Sequence, residues 1–279
     1  MCCNRIMAVS VLAPSADLAP LIRAFVHAEI RESHTQILIP ETGIVMALRF
    51  AGEAEFVDGF HVGHFAKAAV AGLAKVVRRV RATENGGVIL VLFREQGAAR
   101  VFAAPLDQLH GTIVALENLT SSSHVARLQE KLASAHNAMM RVAVVESFLR
   151  ERLRGVSFDP IVDAAVRAIH TRRGALRIAP LARKLGISHD RLQKRFRCVV
   201  GASPKQLASI IRFRHVLAIR RSDASFAQLA HSVGFCDQSH FIRDFRVFTG
   251  TSPADFFRTA TFCPSFWDAQ TSLGAGDRP

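Results

Sequence analysis

GFCDQSHFIRDFRVFTGTSPADF, residues 234–256, combines a glycine turn, a polar cluster, regularly spaced phenylalanines and a closing Gly-x-Ser-Pro. Phe241, Phe245 and Phe248 recur at three- and four-residue spacing, so that a helix would place them on one face. The other face would carry polar and charged side chains. The pattern predicts a helix from about Gln238 to Phe248, with Gly234 and Gly250 as its boundaries.

A weaker copy of this stretch, GISHDRLQKRFRCVVGASPKQL, occupies residues 186–207. Upstream, IAPLARKLG (178–186) aligns with FAQLAHSVG (226–234). The matched anchors are Leu181 with Leu229, Ala182 with Ala230, Gly186 with Gly234, Leu192 with Phe241, Phe196 with Phe245, Arg197 with Arg246, Gly201 with Gly250, and Ser203-Pro204 with Ser252-Pro253. Each copy indicates helix, tight turn, helix, a motif whose second helix normally enters a DNA major groove.

Between the copies, residues 204–221 predict one long helix with a buried stripe and basic edges. Such a helix would hold the two units at a fixed separation. Two units at fixed spacing can contact successive major-groove segments of a duplex, about 34 Å apart.

Basic residues are concentrated in the same part of the chain. The net charge is +13, and residues 158–260 hold 18 Lys and Arg against 7 Asp and no Glu. This imbalance favours a polyanionic partner, with nucleic acid ahead of an anionic membrane surface. A solvated surface without a partner is the other interpretation.

Residues 159–260 resemble the DNA-binding domain of the AraC/XylS family of bacterial transcription regulators. The resemblance rests on Gly-Phe, a polar stretch, Phe-x-Arg-x-Phe and Gly-x-Ser-Pro, although tyrosine, usual in the family, is absent from this chain. It implies a seven-helix module with two subdomains, generally C-terminal to a sensing or dimerising domain. It also implies base-reading positions at Asp190, Gln193 and Lys194 in the first unit, and Gln238, Ser239, His240 and Arg243 in the second.

The chemistry of these positions fits DNA, because Gln suits adenine and Arg suits guanine. Asp190 is different: a carboxylate can accept from a cytosine amine but repels phosphate, and it could instead hold Arg191 or Lys194 in place. The candidates for phosphate contacts are Arg197, Lys205, Arg212 and Arg246, each of which could also be a solvated charge.

The N-terminal half predicts a β-rich, cupin-like domain with trailing helices. Strands are expected at 36–40, 43–50, 67–72 and 86–93, and amphipathic helices over 106–118 and 125–153. The second of these segments carries an apolar face that either packs on the β-rich domain or forms a dimer seam. Its residues are Met139, Val142, Val145, Phe148, Leu149 and Leu153.

A small-molecule effector, if there is one, is expected in an apolar pocket between the strands and the first helices. Its expected lining is Arg49, Phe50, His61, His64 and Phe65. No metal or other cofactor is expected, since the five cysteines and scattered histidines match no ligand spacing. A dimerisation-only role for this half is equally open.

The expected organisation is a mixed α+β chain. It has a sensing or dimerising domain over 1–155, an all-α DNA-binding domain over 158–260 with units at about 178–198 and 226–247, and a flexible tail over 261–279. The expected function is a cytoplasmic transcription regulator, activator or repressor, that binds double-stranded DNA. Further expected partners are an effector, RNA polymerase for an activator, and a second copy in a homodimer; a membrane partner and enzymatic activity are not expected.

Two other classes remain open from the sequence. One is a DNA-targeted repair protein or other enzyme fused to this module, which stoichiometric alkyl transfer to a cysteine would reveal. The other is a ligand-binding protein whose basic domain meets RNA or membranes. Paired, rigidly spaced helix-turn-helix units favour duplex DNA over both of those partners.

Overall fold

The computed structural model describes residues 6–57, 65–219 and 226–259. The N-terminal part is built from strands, and the predicted α+β class is confirmed. The strands are β1 Met7–Leu12, β2 Ile22–Ile30, β3 His34–Leu38, β4 Val45–Ala51, β5 Ala54–Phe56, β6 Ala68–Ala71, β7 Arg78–Ala82, β8 Gly86–Phe93 and β9 Ile113–Ala115.

The strands form two antiparallel sheets. One has six strands in the order β1-β2-β8-β4-β6-β9, and the other has three in the order β3-β7-β5. Side chains alternate across β2, where Val26 and Ala28 contribute to a small core that includes Ala82 of the second sheet. Phe25 points to the opposite face and joins the main hydrophobic core.

Four expected strands are confirmed as β3, β4, β6 and β8, but the sequence did not predict β1, β2, β5, β7 or β9. Strand β2 is buried on both faces along most of its length. A strand buried in this way shows no alternation of apolar and polar residues, so its sequence lacks the pattern that indicates a half-buried strand.

The helices are α1 Ser122–Ser134, α2 Ala138–Arg150, α3 Pro160–Thr171, α4 Ile178–Lys184, α5 His189–Val200, α6 Pro204–Ile219, α7 Phe226–Ser232, α8 Gln238–Thr249 and α9 Pro253–Thr259. Seven of them, α3 to α9, follow Asp159 within the described ranges. Asp159 caps α3, because its side chain accepts hydrogen bonds from the amides of Ile161 and Val162. None of the helices in these ranges is long and apolar enough to cross a membrane.

The expected helix over 106–118 is wrong. The segment forms a 3₁₀ helix at Leu106–Leu109, strand β9, and a second 3₁₀ helix at Leu116–Asn118. Gly111 has a φ of +73°, which ends the first turn, and the β-branched residues that follow pair with β6. The expected helix over 125–153 is divided in two at Asn137, whose side chain caps α2 through the Met140 amide.

The apolar face of α2 packs largely within the chain. Val142, Val145, Phe148 and Leu149 are buried in the main core, as the packing interpretation expects. Met139 is 67% exposed and Leu153 38% exposed, so only these two residues of the six stay available to a second chain.

The main core passes without interruption from the β-rich part into the helical part. Polar contacts also join the β-rich part to the helical part. Arg214 of α6 donates to the Pro40 carbonyl (3.0 Å), and its Nη1 lies 3.0 Å from Glu41 Oε1 in an ion pair. Glu41 also pairs with Arg23. The helical part is thus held against the sheets by buried contacts of both kinds.

Candidate nucleic-acid interface

The first helix-turn-helix unit consists of α4 and α5. Leu181 and Ala182 of α4 are buried, and Leu192 and Phe196 of α5 have no exposed surface. Ser188 caps α5 by accepting from the Arg191 amide (3.3 Å). The unit buries one face of each helix and leaves the opposite face of α5 to solvent.

The second unit, α7 and α8, repeats this arrangement. Leu229 and Ala230 are buried, and the rings of Phe241 and Phe245 meet edge to face with their centroids 5.7 Å apart. Asp237 caps α8 through the His240 amide (2.7 Å).

The glycine anchors of the repeat serve the same purpose in both units. Gly186 and Gly234 follow the first helices with φ values of +71° and +78°. Gly201 and Gly250 end the second helices with φ values of +85° and +73°. All four adopt the left-handed conformation that favours glycine, so the sequence repeat is a repeat of structure.

Helix α6 joins the two units and contacts α8 directly. Phe213 of α6 stacks on Phe248 of α8, with ring centroids 4.3 Å apart. The Ser209 hydroxyl donates to the Asp244 carboxylate (3.4 Å). Because this helix starts where the first unit ends, it couples the position of α8 to that of α5.

The second helix of each unit, α5 or α8, carries the expected base-reading positions and is called the reading helix. Both reading helices have polar outer faces. On α5, Asp190 and Lys194 are exposed and Gln193 is half-buried. The Asp190 side chain is 98% exposed, and its carboxylate lies 3.4 Å from His189 Nδ1. No ion pair with Arg191 or Lys194 occurs within the described part of the chain.

Arg195 of α5 forms an ion pair with Asp159 at the start of α3, which the sequence did not reveal. Its Nε donates to Asp159 Oδ2 (2.7 Å), and this bond raises the pKa of Arg195. Burial works against ionisation of Asp159, but Arg195 and the capped amides outweigh it and lower the pKa of that carboxyl. The role of Asp159 as a helix cap was visible in the sequence; the long-range pairing with Arg195 was not.

On α8, Gln238, Ser239, His240 and Arg243 are all exposed. The His240 ring also packs edge-on against Phe235, with centroids 5.3 Å apart. Further along the helix a shallow depression is lined by Ser239, Ile242, Arg243, Arg246 and Val247. Val247, 51% exposed, is an apolar member of this surface that was not among the residues expected from the sequence. The sequence does offer one indication of this exposed position: Val247 is apolar but does not lie on the helix face that carries the buried phenylalanines.

The expected phosphate contacts lie in different surroundings. Arg197, Lys205 and Arg246 are exposed, near the end of α5, the start of α6 and the end of α8. Arg212 is half-buried and its guanidinium lies 4.7 Å from the centre of the Phe235 ring. Arg212 therefore links the connecting helix to the turn of the second unit.

The expected effector residues are brought together only in part. Arg49 Nη2 donates to the Phe65 carbonyl (3.0 Å), and the Phe65 ring contacts Phe56 of the second sheet. Phe50 points to the opposite face of β4, where it stacks on His27. The structure therefore separates Phe50 from Arg49 and Phe65, because neighbouring residues of a strand face opposite sides. His61 and His64 lie outside the described residues.

The face that carries Phe50 holds a group the sequence did not predict. The Arg141 guanidinium lies 3.7 Å from the Phe50 ring centre and 3.1 Å from His27 Nε2. Burial, with Arg141 adding to it and Glu29 opposing, lowers the pKa of His27. The group fixes α2 against the sheet.

Comparison with known proteins finds similarity to helix-turn-helix regulators in the helical part of the chain. A helix-turn-helix domain model matches residues 181–259. The Msm operon regulatory protein of Streptococcus mutans serotype c is 30% identical over 118 residues, 41% of this chain and 42% of that protein. A Streptomyces lividans protein named as an AraC-like transcription regulator is 33% identical over 109 residues, 37% of this chain and 34% of that protein.

The matched stretch thus spans less than half the length of these curated relatives. Among solved structures, ToxT from Vibrio cholerae is 12% identical with a TM-score of 0.47, covering 92% of this chain and 99% of that one. The repeated units, their glycine anchors and the sequence matches agree on one assignment. Residues 181–259 form a helix-turn-helix domain of the AraC type.

Proposed function

We propose that the protein is a sequence-specific DNA-binding transcription regulator that contacts two successive major-groove segments through α5 and α8. The observation that carries the proposal is the repeat of one helix-turn-helix architecture with a polar, solvent-exposed outer face on both reading helices. A basic module of this kind with two capped reading helices suits a duplex. The proposal places its action in the cytoplasm, on DNA, and assigns it no enzymatic activity.

Base contacts are assigned to the outer faces of the reading helices. In the first unit they come from Asp190, Gln193 and Lys194, with Asp190 accepting from a cytosine amine. In the second they come from Gln238, Ser239, His240 and Arg243. Arg243 is the strongest candidate for a guanine, because its fork of donors matches two acceptors on that base.

Phosphate contacts are assigned to Arg197, Lys205, Arg212 and Arg246. Lys205 is the second residue of α6, and its exposed ammonium suits a phosphate as a point charge. Arg212 would reach DNA only by leaving the Phe235 ring, so we expect the smallest contribution from it. Val247 adds an apolar surface that fits a thymine methyl group.

Replacing Arg243 tests the assignment. We expect Arg243→Ala to weaken binding to the selected duplex by about 1–3 kcal/mol and to relax preference at one or two base pairs. Arg167→Ala is the matched control, because Arg167 is exposed on α3, outside both reading helices, and pairs with Asp163. The measurement is Kd by fluorescence anisotropy on the selected duplex, on single-base variants and on random DNA at fixed salt.

Two results would contradict the proposal at different levels. If Arg243→Ala bound every duplex as wild type does, the role of Arg243 would be wrong. If the wild-type protein bound selected and random duplexes equally, the proposal of a sequence-specific regulator would fail.

The β-rich part is proposed to bind a small anionic effector beside Arg49 and Phe65. Arg49 Nε and Nη1 are buried and make no hydrogen bond among the described residues. Burial lowers the pKa of Arg49, and Glu53 opposes this. A guanidinium with open donors in such surroundings favours a carboxylate or phosphate. A homodimer, with Met139 and Leu153 at its contact, and RNA polymerase, for an activator, are further proposed partners.

A further inference from the structure

Two segments of the β-rich part contact the helix-turn-helix units at the end of α8 and at the junction of α5 and α6. We name residues 72–78 and 106–112 the bracket. They are joined by hydrogen bonds from the Gly72 amide to the Thr112 carbonyl (3.0 Å) and from the Gly111 amide to the Leu73 carbonyl (2.9 Å). A Cβ at Gly72 would lie 1.7 Å from the Leu109 carbonyl oxygen, so the two segments approach as closely as backbone allows. The two segments of the bracket are therefore joined directly through their backbones.

One arm of the bracket holds the end of α8. The Val77 amide donates to the Phe248 carbonyl (2.7 Å), one of the last carbonyls of α8, which have no partner within the helix. The Lys75 ammonium lies 3.7 Å from the Asp244 carboxylate and 5.2 Å from the centre of the Phe248 ring. Both groups of this ion pair are largely shielded from solvent.

The other arm holds the junction of α5 and α6. A Cβ at Gly201, the C-cap of α5, would lie 2.9 Å from the Leu106 carbonyl oxygen. The side chain of His110 contacts Gln206 Nε2 (2.9 Å), and Gln206 Oε1 accepts from the Ser203 amide (2.7 Å) at the start of α6. This arm therefore meets the first unit at the point from which the connecting helix departs.

We propose that the bracket is a positioning element that sets the orientation of α8 relative to α5, and with it the half-site spacing that the protein accepts. Without the bracket, helix α6 would join the two units through contacts with one face of α8. The bracket adds a second attachment to α8, at the same Asp244 and Phe248 that α6 contacts but through the Lys75 ammonium and the Val77 amide. Two attachments restrict rotation that one would permit. Lys75 acts through Asp244 and Phe248 rather than on DNA, so it is a positioning residue. The inference rests on the proposed function.

The test measures tolerance to half-site spacing in the full-length protein. A duplex is first selected from a random library with the wild type. Kd is then measured on that duplex and on duplexes with one or two base pairs inserted between the half-sites. The variants are Lys75→Met, which removes the charge but keeps most of the stem, and Val77→Pro, which removes the amide donor. Lys67→Met, an exposed lysine of the same domain, is the matched control.

We expect the wild type and Lys67→Met to lose more than about tenfold in affinity on insertion, since misplacing one reading helix forfeits base contacts. Lys75→Met and Val77→Pro should lose less than about threefold, from a somewhat weaker starting affinity. A spacing penalty equal to wild type in Lys75→Met overturns the proposal, whatever the effect on affinity or melting temperature. If Val77→Pro does not fold, Lys75→Met decides alone. If no sequence is selected by the wild type, the proposed function fails and the inference with it.

Discussion

The buried cluster of Arg23, Glu41 and Arg214 should dominate the attachment between the sheets and α6. All three side chains are at most 10% exposed, and Glu41 pairs with both guanidinium groups. Burial alone would raise the pKa of Glu41, but the two arginines outweigh it and the pKa is lowered. We expect Glu41→Gln to lower the free energy of unfolding by about 3–5 kcal/mol, the usual cost of removing one partner from a buried pair.

The charges of the cluster predict an order among variants. Glu41→Gln removes the anion that lies between two cations, whereas Arg214→Met leaves Arg23 and Glu41 as a balanced pair. Arg214→Met should therefore cost less, about 1–3 kcal/mol, from its lost charged hydrogen bond to the Pro40 carbonyl. The double variant should be more stable than the sum of the single effects by about 1–3 kcal/mol, because the two residues share one interaction.

Equilibrium urea unfolding at pH 7, followed by circular dichroism, measures all three variants against wild type. The reasoning would be refuted if Glu41→Gln cost less than Arg214→Met, or if the two effects simply added. Arg167→Ala, at an exposed pair on α3, is the control and should change stability by less than about 1 kcal/mol.

Two further predictions concern the N-terminal part. Arg49→Met should abolish the thermal stabilisation that a carboxylate- or phosphate-bearing effector gives to the wild type, measured by differential scanning fluorimetry over a metabolite panel; a full response in the variant would exclude Arg49 as the anion site. The Glu95 carboxylate accepts a hydrogen bond from His170 (2.7 Å). Burial opposes ionisation of Glu95, but this contact outweighs it and lowers the pKa of Glu95 to about 2. Its stabilisation of about 3 kcal/mol is present above the unfolded pKa of about 4.3 and disappears as pH falls towards the folded value. The difference in urea midpoint between wild type and Glu95→Gln should shrink from pH 7 to pH 3, and a constant difference would contradict this.

The helical part could be predicted closely because its determinants are local. Glycines at positive φ, capping residues and phenylalanine spacing each specify structure within a few residues, and they occur twice. Gln238 begins α8 as expected, and the buried stripe of α6 at Leu207, Ile210 and Leu217 is confirmed. The contacts of the reading helices with DNA remain predictions.

The N-terminal part was predicted less well because its structure depends on distant pairing. Strand β2 gave no alternating pattern, since both of its faces are covered. The segment over 106–118 has helical spacing of apolar residues, yet Gly111 and pairing with β6 convert it to a turn and a strand. Arg49 and Phe50 are neighbours in sequence that lie on opposite faces of one sheet.

Partners across the chain were also beyond the sequence. Arg195 lies on α5, and Asp159 binds it from 36 residues away. Arg214 reaches the Pro40 carbonyl over 174 residues. Such pairs are set by packing of whole elements, which no local spacing records.

The uninterrupted core has a consequence for anyone who wishes to exchange parts of this protein. Cutting the chain at residue 156 would strip Leu106 from Gly201 and leave buried faces of α5 and α8 against water. A chimera that places another sensory module on this helix-turn-helix domain would need the bracket transplanted along with the helices. The natural unit of recombination is therefore larger than the DNA-binding module itself.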